Sequence, residues 1–361
     1  MDELKHVTIV GPLPPPAGGM ANQTRKLAEF LRGEGLEVNV VQVNPPYFPR
    51  FIEKVPVVRA GFRLIQYFFS LFKELRKTQV VHIMANSGWS WHLFAAPAIW
   101  IARLLNKPVV LNYRGGYAQT FFEASWRWVK PSMSRCQKVL VPSVFLEEVF
   151  AQFQCKAEIV PNVLDQQNFY PSNKAFSVDA PHIIVTRNLE EIYDVETAVR
   201  AFAQVHQQYP KATLSVAGTG PELSSLEALV NTLQIKEHVK FVGRLSPTEI
   251  AELYRSADIM VNTSVVDNSP NSIIESLACG TPVVSSNVGG IPKLVTHEHD
   301  AILVEPKQPT LIANGIFKLL ENEEFCQQIK ENGQQTVSKF YWQNVWKLLN
   351  EHYQQAMRSS R

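Results

Sequence analysis

Short runs of branched apolar residues recur along the whole chain, and most are followed by a stretch with helical spacing. Val7-Thr-Ile-Val10, Glu37–Val43, Val80-Val-His-Ile-Met84, Pro108-Val-Val-Leu-Asn112, Lys138–Val141 and Glu158-Ile-Val-Pro-Asn162 form a first series. His182–Thr186, Ala212–Ala217, Val239–Val242, Asp258-Ile-Met-Val-Asn262, Thr281-Pro-Val-Val-Ser285 and Ala301–Val304 form a second. Strands alternating with helices in this way predict parallel, doubly wound sheets of the α/β class. Ligands of such sheets sit beyond the carboxyl ends of the strands. The polar stretch Pro171-Ser-Asn-Lys-Ala places a linker at 166–180, between a domain over 1–165 and another over 181–340. At 361 residues the chain is long enough for two cores.

Residues 1–165 carry 19 Lys and Arg against 12 Asp and Glu, and the remainder 16 against 21. A basic N-terminal half suits an anionic acceptor or an anionic membrane surface. Cys136, Cys155, Cys279 and Cys326 show no ligand spacing and read as reduced thiols of a cytoplasmic protein. Met1-Asp-Glu-Leu-Lys-His leads straight into a strand, which is not the pattern of a signal peptide. The longest uncharged apolar run, Leu93–Ala102, falls short of the about 20 residues that a membrane span needs.

The stretch most suggestive of a site is Asp267–Gly280, DNSPNSIIESLACG, between two of the expected strands. A helix should begin near Pro270–Ser272, because Pro suits a first turn and Asn and Ser cap free N–H groups. Ile273, Ile274 and Leu277 give it an inner face, and Gly280-Thr-Pro ends it. Its amides and the positive end of its dipole then point into the loop carrying Asp267, an anion site suited to a diphosphate. Asp267 and Glu275, with seven residues between them, frame that site with carboxylates able to accept hydrogen bonds from sugar hydroxyls. For Glu275 alone the other reading is an acid that merely favours the dipole. Arg187, Gly218-Thr-Gly220, Gly243-Arg244 and Ser286–Gly290 also fall at strand ends on the same rim.

The loop Gly11–Gly19 is not a GxGxxG fingerprint, which argues against a dinucleotide cofactor. Its Gly18-Gly19 pair either lets the backbone approach a ligand or serves as a flexible connector. The helix expected over Arg59–Lys77 interleaves aromatic and basic residues, as does Trp126-Arg-Trp-Val-Lys130. Two readings stay open here: an interfacial membrane anchor, or helices packed on the sheet with their charges solvated. His82 and His92 read as structural. His297-Glu-His-Asp300 reads as a polar turn, not a ligand set, and no Asp-x-Asp pair offers a cation site.

Asp267-x7-Glu275, with Ala278-Cys-Gly-Thr-Pro-Val-Val284 and Gly289-Gly-Ile-Pro292, resembles the Glu-x7-Glu motif of retaining glycosyltransferases of family 4. Arg187-Asn-Leu-Glu-Glu-Ile-Tyr193 resembles a segment of a bacterial subgroup of that family. The resemblance implies a GT-B fold, two Rossmann-like domains facing across a cleft, with the last helix (341–361) crossing back to the first. It implies a nucleotide-sugar donor on the second domain and a saccharide or lipid-linked saccharide acceptor on the first. By that resemblance Arg187 neutralises the leaving diphosphate, Glu275 holds the ribose and Asp267 contacts the sugar. Gly18, Gly19, Gly218, Gly220, Gly243, Arg244, Ser269, Pro270, Asn271, Ser272 and Ile273 are the further donor-binding candidates.

This chain departs from the family in three places. Asp267 stands where Glu is usual, and the Lys that often follows the Arg by about five residues is missing. Arg114 stands where a His usually sits beside the transferred sugar, and a guanidinium there can bind phosphate or hydroxyl but is no base. The resemblance further implies retention at the anomeric carbon, no metal or other cofactor, no nucleic-acid partner, and a role in bacterial surface polysaccharide or glycolipid assembly. The expected location is cytoplasmic, with peripheral contact at the inner membrane face if the aromatic–basic helices are an anchor. A sugar-nucleotide epimerase and a non-catalytic sugar-nucleotide-binding subunit remain the alternatives.

Overall fold

The first series of runs folds into β1 (His6–Gly11), β2 (Glu37–Gln42), β3 (Val80–Ala85), β4 (Val109–Tyr113), β5 (Lys138–Val141) and β6 (Glu158–Ile159). They make one parallel sheet in the order β2-β1-β3-β4-β5-β6. Between them run α1 (Gly19–Gly33), α2 (Pro56–Leu75), α3 (Ala96–Leu104), α4 (Ala118–Met133) and α5 (Val144–Gln152). In this computed structural model residues 3–15, 19–45, 56–172 and 174–359 are described, with backbone alone for 56–60 and Phe62. Helix α3 is preceded by a π-helical turn, Trp91–Ala95, in which the Ala96 amide bonds back to the Trp91 carbonyl. Pro97 has no N–H to continue the ordinary ladder, which accounts for the wider turn.

The second series gives β7 (His182–Val185), β8 (Thr213–Ala217), β9 (Val239–Gly243), β10 (Ile259–Asn262), β11 (Val283–Ser286) and β12 (Ile302–Val304). This sheet is also parallel, in the order β12-β11-β10-β7-β8-β9. Its helices are α6 (Val195–Gln208), α7 (Leu223–Thr232), α8 (Pro247–Ser256), α9 (Asn271–Ala278), α10 (Ile291–Leu294), α11 (Pro309–Glu321) and α12 (Glu323–Val337). One face of the sheet packs on α6, α7, α11 and α12, the other on α8, α9 and α10. Chain order reverses between β7 and its neighbours β8 and β10, the place where such sheets open to ligands.

The chain divides into two compact units, Met1–Val163 with Trp342–Arg361, and Leu164–Tyr341. The segment 166–180, expected as a linker, is held on the second unit. Phe169 is buried beside Tyr254, and Asp258 binds the Lys174 ammonium at 2.7 Å and the Ser177 amide at 3.0 Å. A buried carboxylate with those donors fixes a stretch that its polar composition alone would leave loose.

The last helix, α13 (Trp342–Arg358), belongs to the first unit for a reason visible in the sheet. Helices α2 to α5 cover one face, whereas α1 is the only one of α1–α5 on the other. Val345, Leu349, Tyr353 and Ala356 of α13 complete that second core with Val80, Met84, Val110 and Leu140. Trp342 stacks on Phe30 at 4.9 Å between centroids and donates to Glu34 at 2.7 Å, pinning the helix start to α1. Buried His82 links the sheet to α13: the Asn112 amide lies 3.3 Å from its Nε2 and the Tyr353 hydroxyl 2.9 Å from its Nδ1. Burial, with the Arg114 charge nearby, pushes the His82 pKa down to about 3.

Candidate functional site

Arg187 leaves the carboxyl end of β7, where Thr186 bonds the Tyr254 hydroxyl at 2.7 Å. Its side chain, 14% exposed, meets groups from three loops. Nη1 donates to Ser272 Oγ at 3.5 Å and Nη2 to Ser264 Oγ at 3.3 Å, and the guanidinium ion-pairs with Asp267. Its Cζ lies over the Tyr193 ring, 4.3 Å from the centroid. Burial draws the Arg187 pKa down, while Tyr193, Tyr254 and Glu275 push it back up. The group therefore stays a cation in a site short of water, where a charge-assisted contact to phosphate is strongest.

Each partner of Arg187 is fixed by its own short-range bonds. The turn Glu191–Tyr193 is tied to the loop after β10, because Thr263 Oγ1 donates to the Asp194 carbonyl at 2.7 Å and the Val265 amide to Ile192 at 2.9 Å. Ser264 Oγ donates to Asn262 Oδ1 at 2.9 Å, whose amide reaches Ser285 Oγ at 3.0 Å. Asp267 accepts the Asn268 amide on Oδ1 at 2.8 Å, and its carbonyl accepts the Gly290 amide at 2.9 Å. Gly289 sits at φ 54°, and a Cβ on it would overlap the Asp267 carbonyl; a Cβ on Gly290 would overlap that of Asn268. The Gly-Gly turn thus lets the acid's loop lie flat against it.

Helix α9 starts as expected, but its N-cap is Pro270 and no side chain caps it. Ser272 is used differently: its hydroxyl meets Arg187, while the Ile273 amide closes onto the Pro270 carbonyl at 3.2 Å. Ile273 itself is fully buried in the core, so any role it has toward a ligand is through its backbone. Ser269, Asn271 and Glu275 are half-buried around the same helix start. An α-helix start beside a buried guanidinium is a site for an anion, with two carboxylates at its margins.

The remaining candidates are placed differently. Gly218 and Gly220 back onto the Arg187 and Leu189 carbonyls, where a Cβ would overlap the backbone, so their smallness first serves to seat the Arg187 loop. Gly243 ends β9 and its carbonyl accepts the Gly218 amide at 2.9 Å; Arg244 beside it is exposed. In the first unit Gly19 opens α1, and Gly18 lies outside the described residues. Arg114 follows β4 with its guanidinium on Asn162 Oδ1 and its amide on Ala85, and burial lowers its pKa to about 10, so it remains charged. Among the described residues no group of three or more His, Cys, Asp or Glu is arranged to hold a metal, and His297–Asp300 is a turn closed by Asp300 onto the Thr296 amide at 2.6 Å. Tyr193 and Tyr254 were not among the sequence candidates. Tyr193 stood within the quoted Arg-Asn-Leu-Glu segment, but no spacing reveals that its ring lies under the guanidinium.

Two doubly wound units of this kind define the class, and the chain has the GT-B fold. Residues 17–168 match the family Glycosyltransferase Family 4 and residues 166–336 match Glycosyl transferases group 1. The chain belongs to these glycosyltransferases. It is 26% identical over 376 residues to an uncharacterized glycosyltransferase of Methanocaldococcus jannaschii, covering 94% of this chain and 95% of that one. It is 24% identical over 304 residues to alpha-monoglucosyldiacylglycerol synthase of Streptococcus pneumoniae, covering 75% and 68%. Among solved structures, Anabaena HepE in complex with UDP-glucose aligns with a TM-score of 0.72 at 18% identity, over 96% of this chain and 99% of that chain.

Proposed function

We propose that the chain transfers a sugar from a UDP- or GDP-sugar to an acceptor hydroxyl with retention at the anomeric carbon. The observation that carries this is the Arg187 guanidinium held between Ser264, Ser272, Asp267 and Tyr193 at the start of α9. The diphosphate rests against Arg187 and the helix amides, Glu275 takes the ribose hydroxyls and Asp267 orients the sugar. As the bond from C1 to the β-phosphate oxygen breaks, its electron pair goes to that oxygen, where Arg187 meets the growing charge. The acceptor oxygen bonds C1 on the same face, and its proton passes to the leaving phosphate. No step calls on a metal or a protein nucleophile. The family membership and the UDP-glucose complex of HepE support a nucleotide-sugar donor.

The acceptor in this reading is a saccharide or lipid-linked saccharide of a bacterial surface polysaccharide or glycolipid, reached at the inner face of the membrane. Likeness to alpha-monoglucosyldiacylglycerol synthase supports an acceptor that carries a lipid. A donor panel of UDP- and GDP-sugars with saccharide and lipid-linked acceptors tests the whole reading, with the product's anomeric configuration read by proton NMR. Transfer with retention is expected. Epimerised donor, or binding without turnover, would replace it with one of the two alternatives.

A further inference from the structure

Five of the chain's seven tryptophans lie between Trp89 and Trp128, and residues 56–135 carry eleven Lys and Arg against two acids, Glu74 and Glu123. That segment builds α2, α3 and α4, which lie side by side on one face of the first unit's sheet. Their inner sides are filled by Tyr67, Leu71 and Leu75, Ala98 and Ile99, and Phe122 and Val129. The core is thus complete without their outer sides. Yet those outer sides are not polar: Phe69 is 73% exposed, Leu104 70% and Trp128 65%, with Ile65 and Trp100 also in solvent. An ordinary solvated helix layer does not leave such large apolar groups on every helix.

The cations are interleaved with these groups. Arg135 stacks on Trp100 at 3.9 Å from the ring centroid, and Arg127 on Trp128 at 4.9 Å. Exposed indole rings with guanidinium groups beside them match the boundary layer of a bilayer, where rings enter the headgroup region and arginines meet lipid phosphate. No helix among the described residues is long and apolar enough to cross a membrane.

We infer that the outer face of α2–α3–α4, centred on Phe69, Trp100, Leu104 and Trp128, docks on a bilayer rich in anionic lipid. The inference gives the membrane contact of the proposed function a specific surface; its purpose rests on that reading, its geometry does not. The full chain, without nucleotide, is to be cosedimented with vesicles of phosphatidylcholine alone and with phosphatidylglycerol added. Binding is expected only with the anionic lipid, weakened by salt, with tryptophan emission shifted to the blue. The pair Trp100→Ser with Trp128→Ser, and separately Arg127→Glu, should each lose about tenfold or more in vesicle affinity. Both variants should keep the wild-type melting temperature and nucleotide-induced stabilisation, which shows that they fold. Unchanged vesicle binding in the folded variants overturns the docking face. So does equal binding to neutral vesicles, or self-association in sedimentation that the Trp pair abolishes, since the patch would then face a second copy. Loss of transfer on soluble acceptors with vesicle binding intact would count against the catalytic reading alone.

Discussion

Arg187 is held in place before any ligand arrives: two serine hydroxyls, one carboxylate and one aromatic face share its guanidinium, while its buried Nε has no hydrogen-bond partner among the described residues. Family relatives often place a lysine nearby, and this chain has Ile192 and then Tyr193 instead. Stacking on Tyr193 holds the guanidinium plane in one orientation, so that a single cation arrives pre-aimed. Tyr193→Ala is expected to weaken nucleotide diphosphate binding by a factor of about 5 to 30, the 1–2 kcal/mol of a partly desolvated cation–π contact. Tyr193→Phe keeps the ring and should stay within about threefold of wild type. Calorimetric titration decides between them, and equal losses in both variants would assign the effect to the hydroxyl.

Helix α13 completes a sheet face that would otherwise expose Val80, Met84, Val110 and Leu140, and His82 is a buried polar tie in that interface. Its folded pKa, near 3, lies below the about 6.5 of an unfolded histidine. The unfolded chain therefore binds the proton first. Stability from this group is complete above about pH 6.5 and declines as pH falls toward 3, at up to about 1.4 kcal/mol per pH unit. Denaturant unfolding between pH 4 and 8 should show wild type losing more stability on acidification than His82→Gln. Parallel pH profiles would mean that His82 is already protonated or solvent-accessible in the folded state. That the last helix returns to the first domain was expected from the resemblance alone. Tyr353 meeting His82, 271 positions earlier in the chain, was not legible, because nothing in a linear pattern pairs residues so far apart.

Over the whole molecule, the β/α alternation was readable because each strand is a short run of Val, Ile and Leu flanked by turn residues. Part of the rim was readable too, since Arg187 and Asp267 each follow a strand end; the structure joins these two directly and brings Ser272 of α9 onto the same guanidinium. What stayed hidden depended on close approach between loops. Gly289 and Gly290 entered only as strand-end and motif residues, yet they are the floor on which Asp267 rests; Gly218 and Gly220 do the same for Arg187 and Leu189. The stretch 166–180 looked like a linker because its polar composition does not reveal that Asp258 binds it. Burial of the aromatic α2–α4 layer was equally undecided in sequence, since helical spacing does not say which ring faces out.

By the proposed function, the second unit holds a nucleotide diphosphate at the start of α9, gripped by Arg187 with Glu275 on the ribose. Titrating UDP and GDP against the melting temperature of the intact chain tests it most directly. A ligand that binds only the folded state stabilises by about 2.7 kcal/mol at a hundred times its dissociation constant. One of the two nucleotides should raise the wild-type melting temperature, while Arg187→Ala and Glu275→Ala, folded to the same baseline, should need at least about tenfold more nucleotide for the same shift. The same shift at the same concentration in both variants would mean that neither Arg187 nor Glu275 holds the nucleotide.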